Sequence, residues 1–107
     1  MTYTWEITNI KTADVGDFQN AVIQTYWIKK GIDEKGKVGL FNGATPIPTE
    51  TLNNENFIPY TQLTEEIVLG WIRSYIDETY EQHINNQIQK QIDDQNIKNL
   101  DLPWASS

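Results

Sequence analysis

Leu63-Thr64-Glu65-Glu66-Ile67-Val68-Leu69-Gly70-Trp71-Ile72-Arg73-Ser74-Tyr75-Ile76 is the stretch that decides the fold. Thr64 can accept a hydrogen bond from the first free amides of a helix, and Glu65 and Glu66 place negative charge on the positive end of its dipole. Leu63 can staple to Val68 across the first turn. Ile67, Val68, Trp71, Ile72, Tyr75 and Ile76 then form a broad apolar face over about three turns, wide enough to cover a three-stranded sheet. A helix therefore starts at Thr64 and forms the lid of a core that must lie upstream.

Upstream, Tyr3, Trp5 and Ile7 alternate with Thr2, Thr4, Glu6 and Thr8, the period of a half-buried strand from Tyr3 to Ile10. A loop through Asp14, Gly16 and Asp17 leads to Ala21–Lys30, whose Val22, Ile23, Thr25, Tyr26, Trp27 and Ile28 suit a central strand. Gly31 to Gly36 has the composition of a reverse turn, with Gly36 free to take positive φ. Val38 to Ile47 returns as a third strand, ended by Pro46 and Pro48 or held at an edge by them. Asn42-Gly43 offers an alternative tight turn that would split this strand and give four. Residues 48–62 are polar, proline-bearing and without period, and they connect sheet to helix.

Downstream, the apolar pattern narrows to Ile72, Ile76, Tyr80, Ile84, Ile88 and Ile92, every fourth residue, set among Asn and Gln. Four residues advance about 400°, so the file drifts by roughly 40° per step. Either the segment bends near residues 77–81, or the later isoleucines meet something other than the sheet under the first half. A helix over 63–96 would be roughly 50 Å long, against a radius of gyration of about 13 Å for a globule of this size. It should overhang its own body. A stripe one isoleucine wide suits a groove or a second copy, and the alternative is that helix and tail fold back along the sheet. Leu100, Leu102 and Trp104 around Pro103 add sizeable apolar groups to a C-terminal tail over 97–107. They pack either on the parent domain or on a neighbour. Tyr80, Ile84, Ile88, Ile92, Leu102, Pro103 and Trp104 are therefore the candidate partner-binding residues. Four tryptophans are many for 107 residues, and Trp5, Trp27 and Trp71 are assigned to the core.

The expected architecture is α+β, one domain over 1–107. An antiparallel meander of three or four strands (1–47) and a connecting loop (48–62) precede one long C-terminal helix (63–96) and an extended tail (97–107). A chain of 107 residues has room for one such domain. No apolar run approaches the roughly 20 residues that cross a bilayer, and Met1–Trp5 lacks the layout of a secretory signal, so neither membrane spanning nor signal-directed export is expected.

Charge and chemistry narrow the function classes. The net charge is −7, and all of it lies beyond Ile47, where ten acids face only Arg73, Lys90 and Lys98. Such a field repels phosphate backbones and anionic lipid, leaving only Lys29, Lys30, Lys35 and Lys37 for such a contact, and these read as a solvated hairpin tip. No nucleic acid, membrane or small-molecule substrate is expected as a partner. With no cysteine, neither disulfides nor thiolate metal sites can form, and the single His83 excludes a multi-histidine cage. His83 lies near Asp77, Glu78 and Glu81 with no nucleophile motif. Glycine-rich phosphate loops and Ca²⁺ loops are absent, since Asp33-Glu34-Lys35-Gly36-Lys37 puts lysines where oxygen ligands are required. Neither catalytic residues, cofactor nor metal is therefore assigned, and the chain is read as a non-enzymatic protein.

The Leu63–Ile72 run, preceded by Phe57-Ile58-Pro59-Tyr60 and followed by Leu102-Pro103-Trp104, resembles a family of small proteins encoded by tailed bacteriophages. The front half is similar too: a Trp-x-Ile strand (Trp5, Ile7), a strand with Tyr26-Trp27, an acidic and glycine turn, and a return strand through Gly43-Ala44-Thr45-Pro46. The resemblance covers nearly the whole chain, implies a phage origin and brings no catalytic residues. The composition agrees with that origin, because 14 isoleucines and 18 Asn plus Gln against 4 alanines and 1 arginine are the usage of an A+T-rich genome. The expected function is a virion protein, either head decoration or cement or a neck or tail accessory subunit, contacting other phage structural proteins or copies of itself. The alternative is an acidic host-takeover protein that binds and inhibits a host enzyme.

Overall fold

A two-residue turn, Gly16-Asp17, joins the two longest strands of the chain. In the computed structural model, which describes residues 1–95, 97 and 100–104, β1 (Thr2–Val15) pairs antiparallel with β2 (Phe18–Ile32) from Thr2↔Ile32 to Val15↔Phe18. Gly16 at φ +57 stands at the first central position, the place where a type II′ hairpin turn takes glycine. The loop expected between residues 11 and 20 is therefore ladder. It escapes a period-two reading because the register shifts three times, between Ile7 and Asn9, Lys11 and Thr12, and Ala13 and Val15. Each shift inserts a residue and flips the facing of the side chains beyond it.

β2 turns through Asp33–Lys37, where the Asp33 carboxylate accepts from the amides of Lys35 (2.9 Å) and Lys37 (2.8 Å) and Gly36 sits at φ +79. β3 (Val38–Pro46) then returns along β2 to complete a three-stranded sheet in the order β1-β2-β3. The strand is continuous through Asn42 and Gly43, which pair with Ile28 and Trp27, so among the described residues there is no fourth strand. Gly43 serves packing and not a turn, because a side chain there would strike the Trp27 indole.

The helical part departs from expectation. In place of one long helix, α1 (Glu65–Ser74) and α2 (Glu78–Asp94) are separated at Tyr75–Asp77. α1 starts where the sequence indicates, with the Thr64 hydroxyl accepting from the Ile67 amide at 3.2 Å. Asp77 starts α2 anew, its carboxylate accepting from the Tyr80 amide at 2.7 Å. An Asp in that role favours a non-helical backbone at its own position, which ends one helix and aims the next. The break cancels the angular drift of the apolar file, and both helices meet the same sheet. The expected helix end at residue 96, and residues 98, 99 and 105–107 of the tail, lie outside the described residues.

Trp27, Val68, Ile72, Ile84, Ile88 and Ile92 form the buried core, with Trp5, Ile7, Phe41, Leu63, Leu69, Trp71, Ile76 and Tyr80 packed around it. Ile84, Ile88 and Ile92 are 0–2% exposed. This corrects the overhanging ridge, since α2 lies along β3 and β2. A stripe so thin suffices because the sheet recedes to meet it. Gly31 and Gly39 are paired neighbours on β2 and β3. A methyl group on Gly31 would come within 2.6 Å of Ile88 Cγ2, and one on Gly39 would strike the Ile88 carbonyl. The missing side chains make a trough into which α2 settles, and each isoleucine sealed there contributes about 2–3 kcal/mol relative to exposure. Gly39→Ala should therefore lower stability by about 2 kcal/mol through overpacking. Gly70→Ala, on α1 with open space around it, should raise it by about 0.5–1 kcal/mol. Urea unfolding of the two variants checks the contrast.

Candidate interaction surface

The proposed partner-binding residues fall into two groups. Tyr80 is half-buried, with its ring 6.3 Å from Phe41, and Ile84, Ile88 and Ile92 are sealed under α2. The isoleucines are thus unavailable to a partner while the chain is folded. Leu102 and Trp104 stand 55% and 79% exposed, Pro103 is exposed between them, and Leu100 is 80% exposed. Leu100, Leu102, Pro103 and Trp104 thus lie on the surface, and the isoleucine file of α2 does not.

Contacts with β3 fix where α2 ends. Tyr80 and His83 pack on Phe41, Gln91 bonds Leu40, and Gln95 Nε2 donates to the Val38 carbonyl at 2.7 Å. The helix thus runs against the direction of β3 and ends beside the β2–β3 turn. Gln91 closes the free edge of β3 as a strand would: the Leu40 amide donates to its Oε1 at 2.8 Å, and its Nε2 donates to the Leu40 carbonyl at 2.6 Å. On the other edge, the Ile7 amide donates to Glu65 at 3.2 Å. These contacts cap strand edges that would otherwise invite pairing.

Lys29 is not part of a solvated lysine cluster. Successive strand residues face opposite ways, so Lys30 points to the uncovered face while Lys29, only 2% exposed, lies under the helices. Its ammonium donates to Asn85 Oδ1 at 2.7 Å, lies 3.6 Å from the Glu81 carboxylate, and sits over the rings of Tyr3 (4.4 Å) and Trp5 (4.8 Å). Arg73 lies over the same Trp5 ring at 5.2 Å. Burial pushes the Lys29 pKa below its ordinary value, Glu81 opposes that shift by charge and hydrogen bonding, and Arg73 adds to it. The polar contacts tie α2 to β2, and sequence reasoning missed them because a Lys-Lys pair on a strand looks solvated until parity is assigned.

The face opposite the helices carries Tyr26, Ile28, Lys30 and Ile32 from β2 and Val38, Leu40 and Asn42 from β3. Thr4, Glu6, Ile28, Lys30, Val38 and Leu40 line a shallow recess of about 290 Å³ on it. Lys11 approaches the Tyr26 ring at 5.6 Å. Among the described residues no three His, Asp or Glu side chains group to hold a metal ion, and no helix is long and apolar enough to cross a membrane.

A family model described as a domain of unknown function, DUF7936, matches residues 1–104. The chain belongs to this family. No curated protein and no solved structure matches it. The match extends through the exposed Leu102-Pro103-Trp104 segment as well as the folded body.

The Lys29 environment predicts a pH dependence. A lysine whose pKa is lowered on folding binds fewer protons in the folded than in the unfolded chain, so stability rises as pH climbs through the lowered value towards 10.5. The wild type should gain stability relative to Lys29→Met across that window, with a constant difference below it. Paired urea titrations along pH measure this, and parallel curves throughout would refute it.

Proposed function

We propose that this protein is a non-enzymatic bacteriophage virion subunit, a head decoration or cement protein or an accessory part of the neck or tail, that acts by protein–protein contacts. It would be made in the host cytoplasm and reside in the particle, against other phage structural proteins or copies of itself. The observation that carries the reading is the Leu100–Trp104 segment, which presents two leucines and a tryptophan to solvent. Apolar side chains of that size on a terminal arm gain free energy only when another surface covers them. An arm on a small noncovalent body suits repeated assembly. The phage assignment itself rests on the sequence resemblance.

The second reading, an acidic host-takeover protein, draws on the concentration of the −7 charge after Ile47. It calls for acids arrayed free on one face. Asp77 instead caps α2, Glu81 faces Lys29, and Asp93 accepts from Gln89 Nε2 at 2.9 Å. That arrangement favours the virion reading.

Mass spectrometry of washed particles of the encoding phage tests it. The protein should be present at an integer copy number per capsomer or tail ring, and its absence from clean particles would remove the virion assignment.

A further inference from the structure

We infer that the C-terminal arm of one molecule docks on the uncovered sheet face of a second copy, laying Leu100, Leu102 and Trp104 along the recess between Ile28, Val38 and Leu40. Three observations carry this. The first is pattern: in Leu100-Asp101-Leu102-Pro103-Trp104 the apolar residues alternate with polar or proline ones; an extended Leu100–Leu102 presents its two leucines on one side, about 7 Å apart, and Trp104 follows in a turn with Pro103. Val38 and Leu40, two residues apart on β3, repeat at the same spacing.

The second observation is direction. α2 runs towards the β2–β3 turn, with Gln95 against Val38, and Leu100, Leu102 and Trp104 further along the chain are exposed. The molecule measures 71 × 30 × 24 Å with a radius of gyration of 19.7 Å, against about 13 Å for a globule of this length. The longest strand accounts for about 50 Å of that length. To cover its own open face the arm would have to reverse around the β3 edge, which Gln91 and Gln95 occupy. A second copy placed end to end meets it without reversal.

The third observation is charge. On a chain of net charge −7, this face holds Lys11 and Lys30 against Glu6, while the arm holds Asp101. Lys30, on the wall of the recess, is long enough to reach a carboxylate at the arm's outer side. A molecule carries one arm and one recess, so exchange can close a dimer or, head to tail, continue into a ring or filament.

The inference deepens the binding-subunit reading and rests on it, but its test needs only purified protein, so self-association can fail while particle incorporation stands. Sedimentation equilibrium of the full chain should show concentration-dependent dimers or larger species. Trp104→Ala, Leu40→Asp and a chain ending at Gln95 should each weaken association at least tenfold, with circular dichroism reporting that the body remains folded. Because the chain has no cysteine, Leu40→Cys and Leu102→Cys supply one thiol each, and mixing the two should give a disulfide-linked heterodimer on oxidation. A full chain that stays monomeric at all concentrations overturns the proposal. So does association indifferent to Trp104→Ala and the truncation, or a Leu40→Cys plus Leu102→Cys mixture that forms only homodimers.

Discussion

The approach of Ile88 to the backbone of Gly31 and Gly39 is the contact on which the rest of the molecule depends. An isoleucine file one residue wide offers too little surface to hold a polar, glutamine-rich helix on an ordinary sheet. Removing the side chains beneath it lets the helix backbone sink, so that Ile84, Ile88 and Ile92 become fully enclosed. The same close approach brings Gln91 and Gln95 within hydrogen-bond range of the β3 edge and Asn85 within range of Lys29. Apolar seating and polar latching therefore act together: neither the thin stripe nor the amides alone would fix α2 in one place.

That docking determines the external surfaces. With α2 laid over β3 and β2 and α1 beside β1, one sheet face is occupied, and side chains of the helices bond the outer edges at Leu40 and Val38 of β3 and at Ile7 of β1. The opposite sheet face and the Leu100–Trp104 segment stay open to other molecules. The buried ammonium of Lys29 strengthens this division. Its partners come from α2 (Glu81, Asn85) and β1 (Tyr3, Trp5), so it joins three elements at one point.

Much of the fold was legible in the sequence where local chemistry and tertiary packing agree. Thr64 with Glu65 and Glu66 marked the start of α1, Asp33 to Gly36 marked the second turn, and alternation from Thr2 to Thr8 marked β1. The first hairpin was obscured by three register shifts, because a period-two pattern cannot survive an inserted residue. Asn42-Gly43 looked like a turn, whereas its glycine makes room for Trp27. The drift of the isoleucine file left a bend near residues 77–81 as one of two alternatives to a straight helix on one surface, and the helices break beside it, with Asp77 starting α2. The inference that the later isoleucines lacked shelter failed for a non-local reason. Their shelter is made by glycines some 50 residues earlier, and an absent side chain leaves no periodic signal. Of the candidate site, the sequence left Leu102-Pro103-Trp104 open between the parent domain and a neighbour, because apolar residues beside a proline do not show by themselves what covers them; the structure exposes all three. The open sheet face became identifiable only once the parity of Lys29 and Lys30 was known.

Native-state hydrogen exchange on the isolated chain tests the account most directly. If α2 belongs to the core, the amides from Ile84 to Ile92 exchange only through the same global opening that exposes Trp27 and its neighbours on β2, and they share its free energy. Amides of α2 exchanging like those of a free helix, while β2 remains protected, would contradict the docking of α2 on its own sheet and every surface derived from it.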